Sequence, residues 1–184
     1  MRLSRHFGKT LRDAPADANM TSHALILRAG LARPVAAGIW SYLPLGFRAM
    51  KKIEQIIREE MDAIGAQEMV MPVVHPAELW QATGRWDSVD VLMRLKSREG
   101  RDFVLGATHE EVVVALCQSE IESYRDMPAA IYQFQTKERD EPRARGGLLR
   151  LREFLMKDAY SMNADQAGLD AYYDACYGAY VRIF

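Results

Sequence analysis

Apolar residues recur along this chain with two different periods, and the period predicts the type of each element. Between Phe47 and Ile64 they recur at steps of three and four, with charged residues between them, which predicts an amphipathic helix. Gly65 is the residue expected to end it. A short helix is predicted from about residue 22 to residue 30, and another over residues 76–88, with its end near Gly84. Two more are predicted, one beginning at Thr108 and one that starts within residues 163–168 and runs to the end. An aromatic-rich stripe in the last helix is typical of a buried face: Leu169, Tyr172, Cys176, Tyr180 and Phe184.

Alternation of polar and apolar residues predicts the strands. Residues 68–76 form one predicted strand, in which Pro72 removes a ladder hydrogen bond and favours an edge position or an interface. A hairpin is predicted around a turn at Glu99 and Gly100. Two more strands flank a basic loop between Ile131 and Met162.

This last segment concentrates charge, with three acids and five arginines between Arg139 and Glu153. By the period of two, one face of its first strand carries Ile131, Gln133, Gln135, Lys137 and Arg139. One face of the returning strand, predicted from residue 148, carries Arg150, Arg152, Phe154, Met156 and Asp158. Such a hairpin can hold a polyphosphate between guanidinium groups while a flat ring stacks on Phe154. The alternative interpretation is a solvated, salt-bridged hairpin.

Composition narrows the function classes. Hydrophobic residues make up 49% of the chain, enough for a core, and 24 basic against 25 acidic residues exclude a globally basic nucleic-acid binder. Cys117 and Cys176 lack metal-ligand spacing, so we expect no metal site and a cytoplasmic location. We predict no membrane span or secretory signal. Residues 1–12 carry Arg2, Arg5, Lys9 and Arg12 without an acid, so a mitochondrial transit peptide is the alternative.

The sequence Thr108-His109-Glu110-Glu111 permits two interpretations. It fits a capping box, with Thr108 as N-cap and Glu111 three residues later. Thr108 and Glu110 could also face a pocket, where a hydroxyl and a carboxylate would bind the ammonium group of a ligand. Both can hold together, and we expect His109 to be structural.

Taken together, Arg139-Asp140-Glu141 and Arg150-x-x-x-Phe154-x-x-x-Asp158 closely resemble motif 2 of class II aminoacyl-tRNA synthetases. QTKERDE, LREF and MKDAYSM resemble the bacterial type of prolyl-tRNA synthetase, as does GATHEE. The resemblance covers essentially the whole chain and implies an α+β fold, with an antiparallel sheet flanked by helices. Motif 1 would lie at about residues 47–76, the proline-recognition segment at 106–111 and motif 2 at about 131–162.

This resemblance also implies roles. Arg139 would be catalytic, holding the α-phosphate of ATP and the proline carboxylate, while Thr108 and Glu110 would bind the proline ammonium. Glu141 would recognise the adenine amino group, Arg150 the γ-phosphate, and Phe154 would stack on adenine. Arg143 and, more weakly, Arg145 would approach the acceptor stem of proline tRNA. The family further implies a homodimer and Mg²⁺ bound with ATP, with no Mg²⁺ ligands expected in this chain.

Several positions depart from the family pattern. Glu138 stands where an aromatic residue is usual, and alternation places it with Tyr132, Phe134 and Thr136, where a carboxylate must pair with an arginine or raise the energy of the fold. The loop differs at Pro142, Ala144 and Gly146, and Ala107 replaces a proline. No editing region, motif 3 or anticodon-binding region is expected here. We therefore predict part of a proline--tRNA ligase that is inactive alone, the alternative being a non-catalytic synthetase-like module for dimerisation or for binding RNA or a ligand.

Overall fold

The computed structural model describes residues 3–16, 18 and 20–184, so Arg2 of the basic amino-terminal segment lies outside the described residues. Six α-helices are described: α1 Thr21–Arg28, α2 Pro44–Ala63, α3 Ala77–Ala82, α4 Arg85–Ser88, α5 Glu110–Glu120 and α6 Gln166–Ile183. Eight strands are described: β1 Ala32–Ala36, β2 Ile39–Tyr42, β3 Gln67–Glu68, β4 Val74–Pro76, β5 Met93–Lys96, β6 Asp102–Leu105, β7 Ala129–Glu138 and β8 Glu153–Met162. Short 3₁₀ turns lie at Leu3–Arg5 and Tyr124–Asp126.

The described strands form three sheets. β1 pairs with β2, and β4, β6 and β5 form a second antiparallel sheet. The third sheet has the order β3-β7-β8, in which β7 and β8 are antiparallel over ten residue pairs while β3 is parallel to β7. The α+β class with largely antiparallel sheets is confirmed, and the parallel β3 edge is an addition that the sequence pattern did not indicate.

The prediction of one strand over residues 68–76 is wrong, because the segment divides between two sheets. β3 pairs with β7, whereas β4 pairs with β6. Between them, the backbone N–H of Met71 donates to the Gln133 side chain at 3.1 Å instead of to a strand. Pro72 has no N–H to donate, so the ladder breaks here.

The long amphipathic helix is confirmed as α2, which begins earlier than predicted, with Pro44 in its first turn. Gly65 follows it at a φ of +81°, the left-handed conformation expected of a residue that ends a helix. The apolar stripe is only partly covered. Met61 is fully buried against Tyr132, but Phe47 and Ile53 remain 47% and 57% exposed.

The hairpin β7–β8 lies between two groups of apolar residues, and we name its faces accordingly. Its back face, the face of Tyr132, Phe134, Glu138 and Glu153, packs against α2 through Met61 and Ile57. Its front face, the face of Gln133, Lys137, Phe154 and Asp158, adjoins Met71 and the first turns of α5. This arrangement places the amino end of α5 beside the carboxyl end of β7.

The predicted capping box at the start of α5 is wrong. The helix begins at Glu110 with His109 as N-cap and no side-chain cap. The Thr108 hydroxyl donates to the Glu110 carboxylate instead, and the Glu111 carboxylate accepts from Arg85 Nη1 at 2.8 Å. Because Glu111 is buried with an arginine partner, it is not available to the backbone of the helix end.

The returning strand begins at Glu153, not at residue 148. The backbone N–H of Arg152 donates to the Gly38 carbonyl at 2.8 Å, in the turn between β1 and β2, although its own carbonyl still accepts from Arg139 N at 2.7 Å. Arg150 lies farther out, in an isolated bridge with Arg145. The two arginines therefore belong to the approach to the strand and are held by other parts of the chain.

Glu138 has a different neighbour from the one predicted. It is half-buried and lies directly across the hairpin from Glu153, with no arginine paired to it among the described ion pairs. Burial, and next the negative charge of Glu153, raise the pKa of Glu138 to about 7. Protonation near neutral pH thus takes the place of the expected arginine.

The last helix, α6, has Asp165 as its N-cap, and the Asp165 carboxylate accepts from Gly168 N at 2.7 Å. The predicted buried stripe is largely wrong. Tyr172 and Cys176 are half-buried, whereas Leu169, Tyr180 and Phe184 are exposed, and Ala179 is the buried residue of the helix. Within the described part of the chain, no helix combines the length and apolar character needed to cross a membrane.

Candidate active site

The front face of the hairpin carries the alternating set that the sequence predicted. Across the two strands, Gln133 pairs with Asp158 and Lys137 pairs with Phe154. Paired residues of an antiparallel ladder project to the same side, so an amide, an ammonium group, an aromatic ring and a carboxylate share one surface. This surface leads directly to Arg139, the first residue beyond β7.

Arg139 joins the hairpin to the segment before α5. Its guanidinium carbon lies 5.3 Å from the centre of the Phe154 ring, and its Nε donates to the Ala107 carbonyl at 3.2 Å. The backbone supports the same junction, because Glu138 N donates to the Gly106 carbonyl at 3.1 Å. Residues 106–107 are therefore fixed against the end of β7, immediately before Thr108.

Gly106 is required for this close approach. A Cβ atom added to it would lie 2.8 Å from the His75 ring and 3.0 Å from the His109 ring. Both distances are shorter than normal van der Waals contacts between such atoms, so any side chain here would displace the two histidines. The local sequence thus determines how closely the segment 106–109 meets β4 and the hairpin.

Thr108 and Glu110 provide the polar groups at this junction. The Thr108 hydroxyl donates to the Glu110 carboxylate, and a Glu110 oxygen lies 3.8 Å from Arg85 Nη1. Glu110 is exposed and Thr108 half-buried. The structure thus brings Thr108 and Glu110 to the same junction as Arg139, with Ala107 as the connecting residue.

All four residues predicted to bind ATP are among those lining a cleft of about 320 Å³: Arg139, Glu141, Arg150 and Phe154. The cleft also extends along α2 and the back face of the hairpin, where Ile53 and Phe134 line it. Within it, Nε and Nη2 of Arg150 both lie 2.8 Å from Oε2 of Glu141. Glu141 is largely buried and Arg150 half-exposed. The two residues with separate predicted roles are therefore ion-paired to each other in this structure.

Arg143 and Arg145 are both exposed in the loop that joins the two strands. The loop turns at Gly146 and Gly147, with φ angles of +74° and +65° that glycine adopts without strain. These arginines are not among the residues lining the cleft. The structure thus separates them from the predicted nucleotide residues and leaves them accessible from outside.

The sequence did not indicate that the polar residues of the front face form a buried network. Lys137 is fully buried, its Nζ lying 2.9 Å from Asp158 Oδ1 and 2.5 Å from His109 Nδ1. Asp158 Oδ2 also accepts from Tyr160 at 2.6 Å and from Gln133 at 3.0 Å. The alternation of Gln133, Lys137 and Asp158 was the available signal, but a polar face alone does not tell whether it faces water or other polar groups.

Two histidines complete this network at the carbonyl of Pro72. His109 Nε2 lies 3.0 Å and His75 Nε2 2.9 Å from that oxygen, and Trp80 Nε1 donates to His75 Nδ1 at 3.3 Å. A carbonyl only accepts, so both rings carry their proton on Nε2. The prediction that His109 is structural is confirmed by its complete burial and its partners.

Burial sets the protonation of the network. It lowers the pKa of His75 to about 4 and also lowers the pKa of His109, with Lys137 nearby adding to that effect. For Asp158, burial alone would raise the pKa, but the hydrogen bonds from Lys137, Tyr160 and Gln133 hold it below its usual value. The histidines are therefore neutral and the aspartate is ionised at neutral pH.

The side chains of this site can hold anions and a cation. In the described residues, no group of three or more histidines, cysteines or acids is placed to hold a metal ion. What the site does offer is a guanidinium group at the junction, an aromatic ring beside it and a hydroxyl and a carboxylate a few residues away. Such a set suits a zwitterion next to a nucleotide.

Comparison with known proteins places the chain in a family. The family described as tRNA synthetase class II core domain (G, H, P, S and T) matches residues 93–184, half of the chain, and this range includes the junction and the whole hairpin. The chain belongs to this family.

Curated relatives are similar to this chain along its entire length. It is 57% identical to a proline--tRNA ligase of Shouchella clausii (strain KSM-K16) and 55% identical to one of Burkholderia vietnamiensis (strain G4 / LMG 22486). Each alignment covers 100% of this chain but only 33% and 32% of the relatives. The chain therefore spans about a third of the length of the curated relatives it matches.

Solved structures confirm the class II fold. Giardia lamblia prolyl-tRNA synthetase in complex with prolyl-adenylate matches with a TM-score of 0.82 at 20% identity, over 97% of this chain and 37% of that one. Prolyl-tRNA synthetase from Cryptosporidium parvum, complexed with L-proline and AMP, matches with a TM-score of 0.78 at 15% identity, over 93% and 35%. At these identities the likeness shows the fold alone.

Proposed function

We propose that this chain is part of a proline--tRNA ligase, which activates proline with ATP and transfers it to proline tRNA. The observation that carries this proposal is the identity of 55–57% to proline--tRNA ligases over the whole chain. The geometry supports it, because Arg139 lies between the predicted proline residues and the predicted ATP residues. The domain boundaries at residues 47–76, 106–111 and 131–162 belong to the same proposal.

In the amino-acid half of the site, Thr108 and Glu110 would bind the proline ammonium and Arg139 the carboxylate. A proline carboxylate oxygen attacks the α-phosphorus of ATP, the bond from that phosphorus to the bridging oxygen breaks, and pyrophosphate leaves. Negative charge grows on the phosphoryl oxygens, and the Arg139 guanidinium stabilises it. No side-chain nucleophile is needed, since correct positioning of the two reactants supplies much of the rate.

In the nucleotide half, Phe154 would stack on adenine, Glu141 would accept from its amino group, and Arg150 would bind the γ-phosphate. Arg150 and Glu141 now bind each other, and the half-exposed guanidinium can exchange its carboxylate partner for a phosphate. Mg²⁺ would accompany the ATP phosphates and neutralise part of their charge. The chain's own contribution is therefore binding and alignment.

Two partners follow from the same proposal. Arg143 and Arg145, exposed in the hairpin loop, would contact the acceptor stem of the tRNA through its phosphates. A homodimer would cover apolar residues of α2 that are exposed here, among them Phe47 and Ile56. The protein would act in the cytoplasm.

The test is proline-dependent exchange of pyrophosphate into ATP, measured for the protein that the complete reading frame encodes and for residues 1–184 alone. We expect exchange from the complete protein only, because this stretch spans about a third of its relatives. Exchange driven by another amino acid would contradict the proposed substrate. If both proteins are inactive, while calorimetry still detects a prolyl-adenylate analogue, a non-catalytic binding module is the better description.

A further inference from the structure

The segment that carries Thr108 and Glu110 is anchored by the residue between them. His109 is fully buried, whereas Glu110 is exposed and Thr108 half-buried. The backbone therefore inserts one side chain into the protein and presents its two neighbours at the junction. His109 is thus an anchor of Thr108 and Glu110, in addition to the bonds that fix residues 106–107 to the end of β7.

His109 has one partner on each ring nitrogen. Its Nε2–H donates to the Pro72 carbonyl at 3.0 Å, so its Nδ1 is an acceptor, and Lys137 Nζ lies 2.5 Å from that atom. Lys137 is in turn bound to Asp158 at 2.9 Å, on the opposite strand of the hairpin. The contact between Lys137 and His109 is thus a direct side-chain link from the hairpin to the segment 108–110.

Lys137 is held in place by Asp158 and is the one described donor to His109 Nδ1. Asp158 is fixed by Tyr160 and Gln133 as well as by Lys137, so the carboxylate stays in place and orients the ammonium group. His109 Nδ1 has Lys137 as its donor among the described residues. Loss of this hydrogen bond would leave the ring held by its contact with Pro72 and by packing against His75.

We propose that Lys137, acting through His109, is a positioning residue for the amino-acid half of the site. The identity of the substrate, proline, rests on the proposed function. The claim that Lys137 and His109 hold the segment 108–110 does not. Because Lys137 and His109 are fully buried, neither contacts a substrate. Glu141 and Arg150 bind each other without contacting this link, so we expect proline binding to depend on it and ATP binding to be largely independent of it.

Two substitutions of His109 separate its two hydrogen bonds. In His109→Asn the amide reaches the former Nδ1 position and can still accept from Lys137, whereas in His109→Gln the amide reaches the former Nε2 position and preserves the bond to Pro72. In the protein encoded by the complete reading frame, we expect His109→Gln to raise KM for proline about tenfold or more, with KM for ATP unchanged. His109→Asn should stay much closer to the wild type. A role in stability alone predicts no such split between the two substrates.

Lys137→Met should raise KM for proline in the same way if the protein folds, and Lys96→Met is the matched control. Lys96 forms an equally short pair with Asp102, at 2.7 Å, but that pair is exposed in the hairpin β5–β6. We expect the kinetics of Lys96→Met to match those of the wild type. Equal effects of His109→Asn and His109→Gln on KM for proline would overturn the inference.

Hydrogen exchange of backbone amides provides a readout that needs no substrate. Amides of residues 107–113 should exchange faster in His109→Gln than in His109→Asn or the wild type, while those of β5 and β6 are unchanged. Unchanged exchange at residues 107–113, or acceleration everywhere in proportion to lost stability, would refute the positioning role. Should the wild type fail to activate proline, the proposed function is wrong, and the amide exchange still decides whether Lys137 and His109 hold this segment.

Discussion

The two faces of the β7–β8 hairpin both carry charged groups away from bulk water, but their partners differ. On the front face, Lys137 of β7 forms an ion pair with Asp158 of β8, with Nζ 2.9 Å from Oδ1. On the back face, Glu138 lies directly opposite Glu153, a group of the same charge. The front face is thus stable as an ion pair, whereas the back face depends on a proton that pH can remove.

The largest expected effect is on activity, and it comes from Arg139→Ala at the end of the front face. We expect this change to lower proline-dependent exchange by about 100- to 1,000-fold, because it removes the cation that, in the proposed function, stabilises developing negative charge. Exchange in the protein encoded by the complete reading frame is the measurement. Arg101→Ala is the matched control, since Arg101 is exposed and makes only a 4.0 Å contact with Glu99 among the described ion pairs.

Stability gives the next contrast, between the two Lys–Asp pairs. Lys137→Met should lower the free energy of unfolding by about 3–5 kcal/mol, because it leaves a largely buried Asp158 carboxylate without its cation. Lys96→Met should change it by about 1 kcal/mol or less, because Lys96 is 61% exposed. Urea unfolding of both variants measures the difference. Similar losses would show that burial does not distinguish the pairs.

The back face should respond to pH. The pKa of Glu138 is raised to about 7 in the folded protein, so the folded state binds the proton more tightly than the unfolded state. Stability from this group is present below the unfolded pKa and is lost as pH rises through about 7. Glu138→Gln should remove this dependence, a change on the order of 1 kcal/mol after solvent screening. Unfolding curves from pH 5 to pH 8 that keep the same slope in the variant would contradict the assignment.

The smallest effect on activation is expected from the loop. Arg143→Ala should leave proline-dependent exchange unchanged, because Arg143 does not line the cleft. It should weaken tRNA binding and lower the slope of log K against log salt by about 1, as expected for one lost phosphate contact. Filter binding at several salt concentrations provides the measurement, and an unchanged slope would remove Arg143 from the tRNA contact.

The sequence predicted those features of the fold and site that depend on local period. Apolar residues at steps of three and four predicted the helix α2, and Gly65 marked its end. Alternation with a period of two predicted the paired faces of β7 and β8. The family resemblance, carried by residues close together in the chain, was confirmed by the match over residues 93–184. The roles of the individual site residues remain predictions.

The features that the sequence did not predict depend on partners distant in the chain. Met71 bonds to Gln133, which breaks the expected strand, and Arg152 bonds to Gly38, which delays the start of β8. Glu111 does not complete a capping box, because its carboxylate binds Arg85 Nη1. In each case a long-range or side-chain contact outweighed a local preference, and periodicity carries no information about such contacts.

The Pro72 carbonyl has a consequence for how the site behaves as acidity changes. One oxygen receives the Nε2 proton of both His75 and His109, and burial keeps the pKa of each ring below its ordinary value. The rings therefore act as fixed spacers that neither take up nor release protons around neutrality. The two rings should accordingly contribute nothing to the pH dependence of the proposed site over the range in which solvent-exposed histidines titrate.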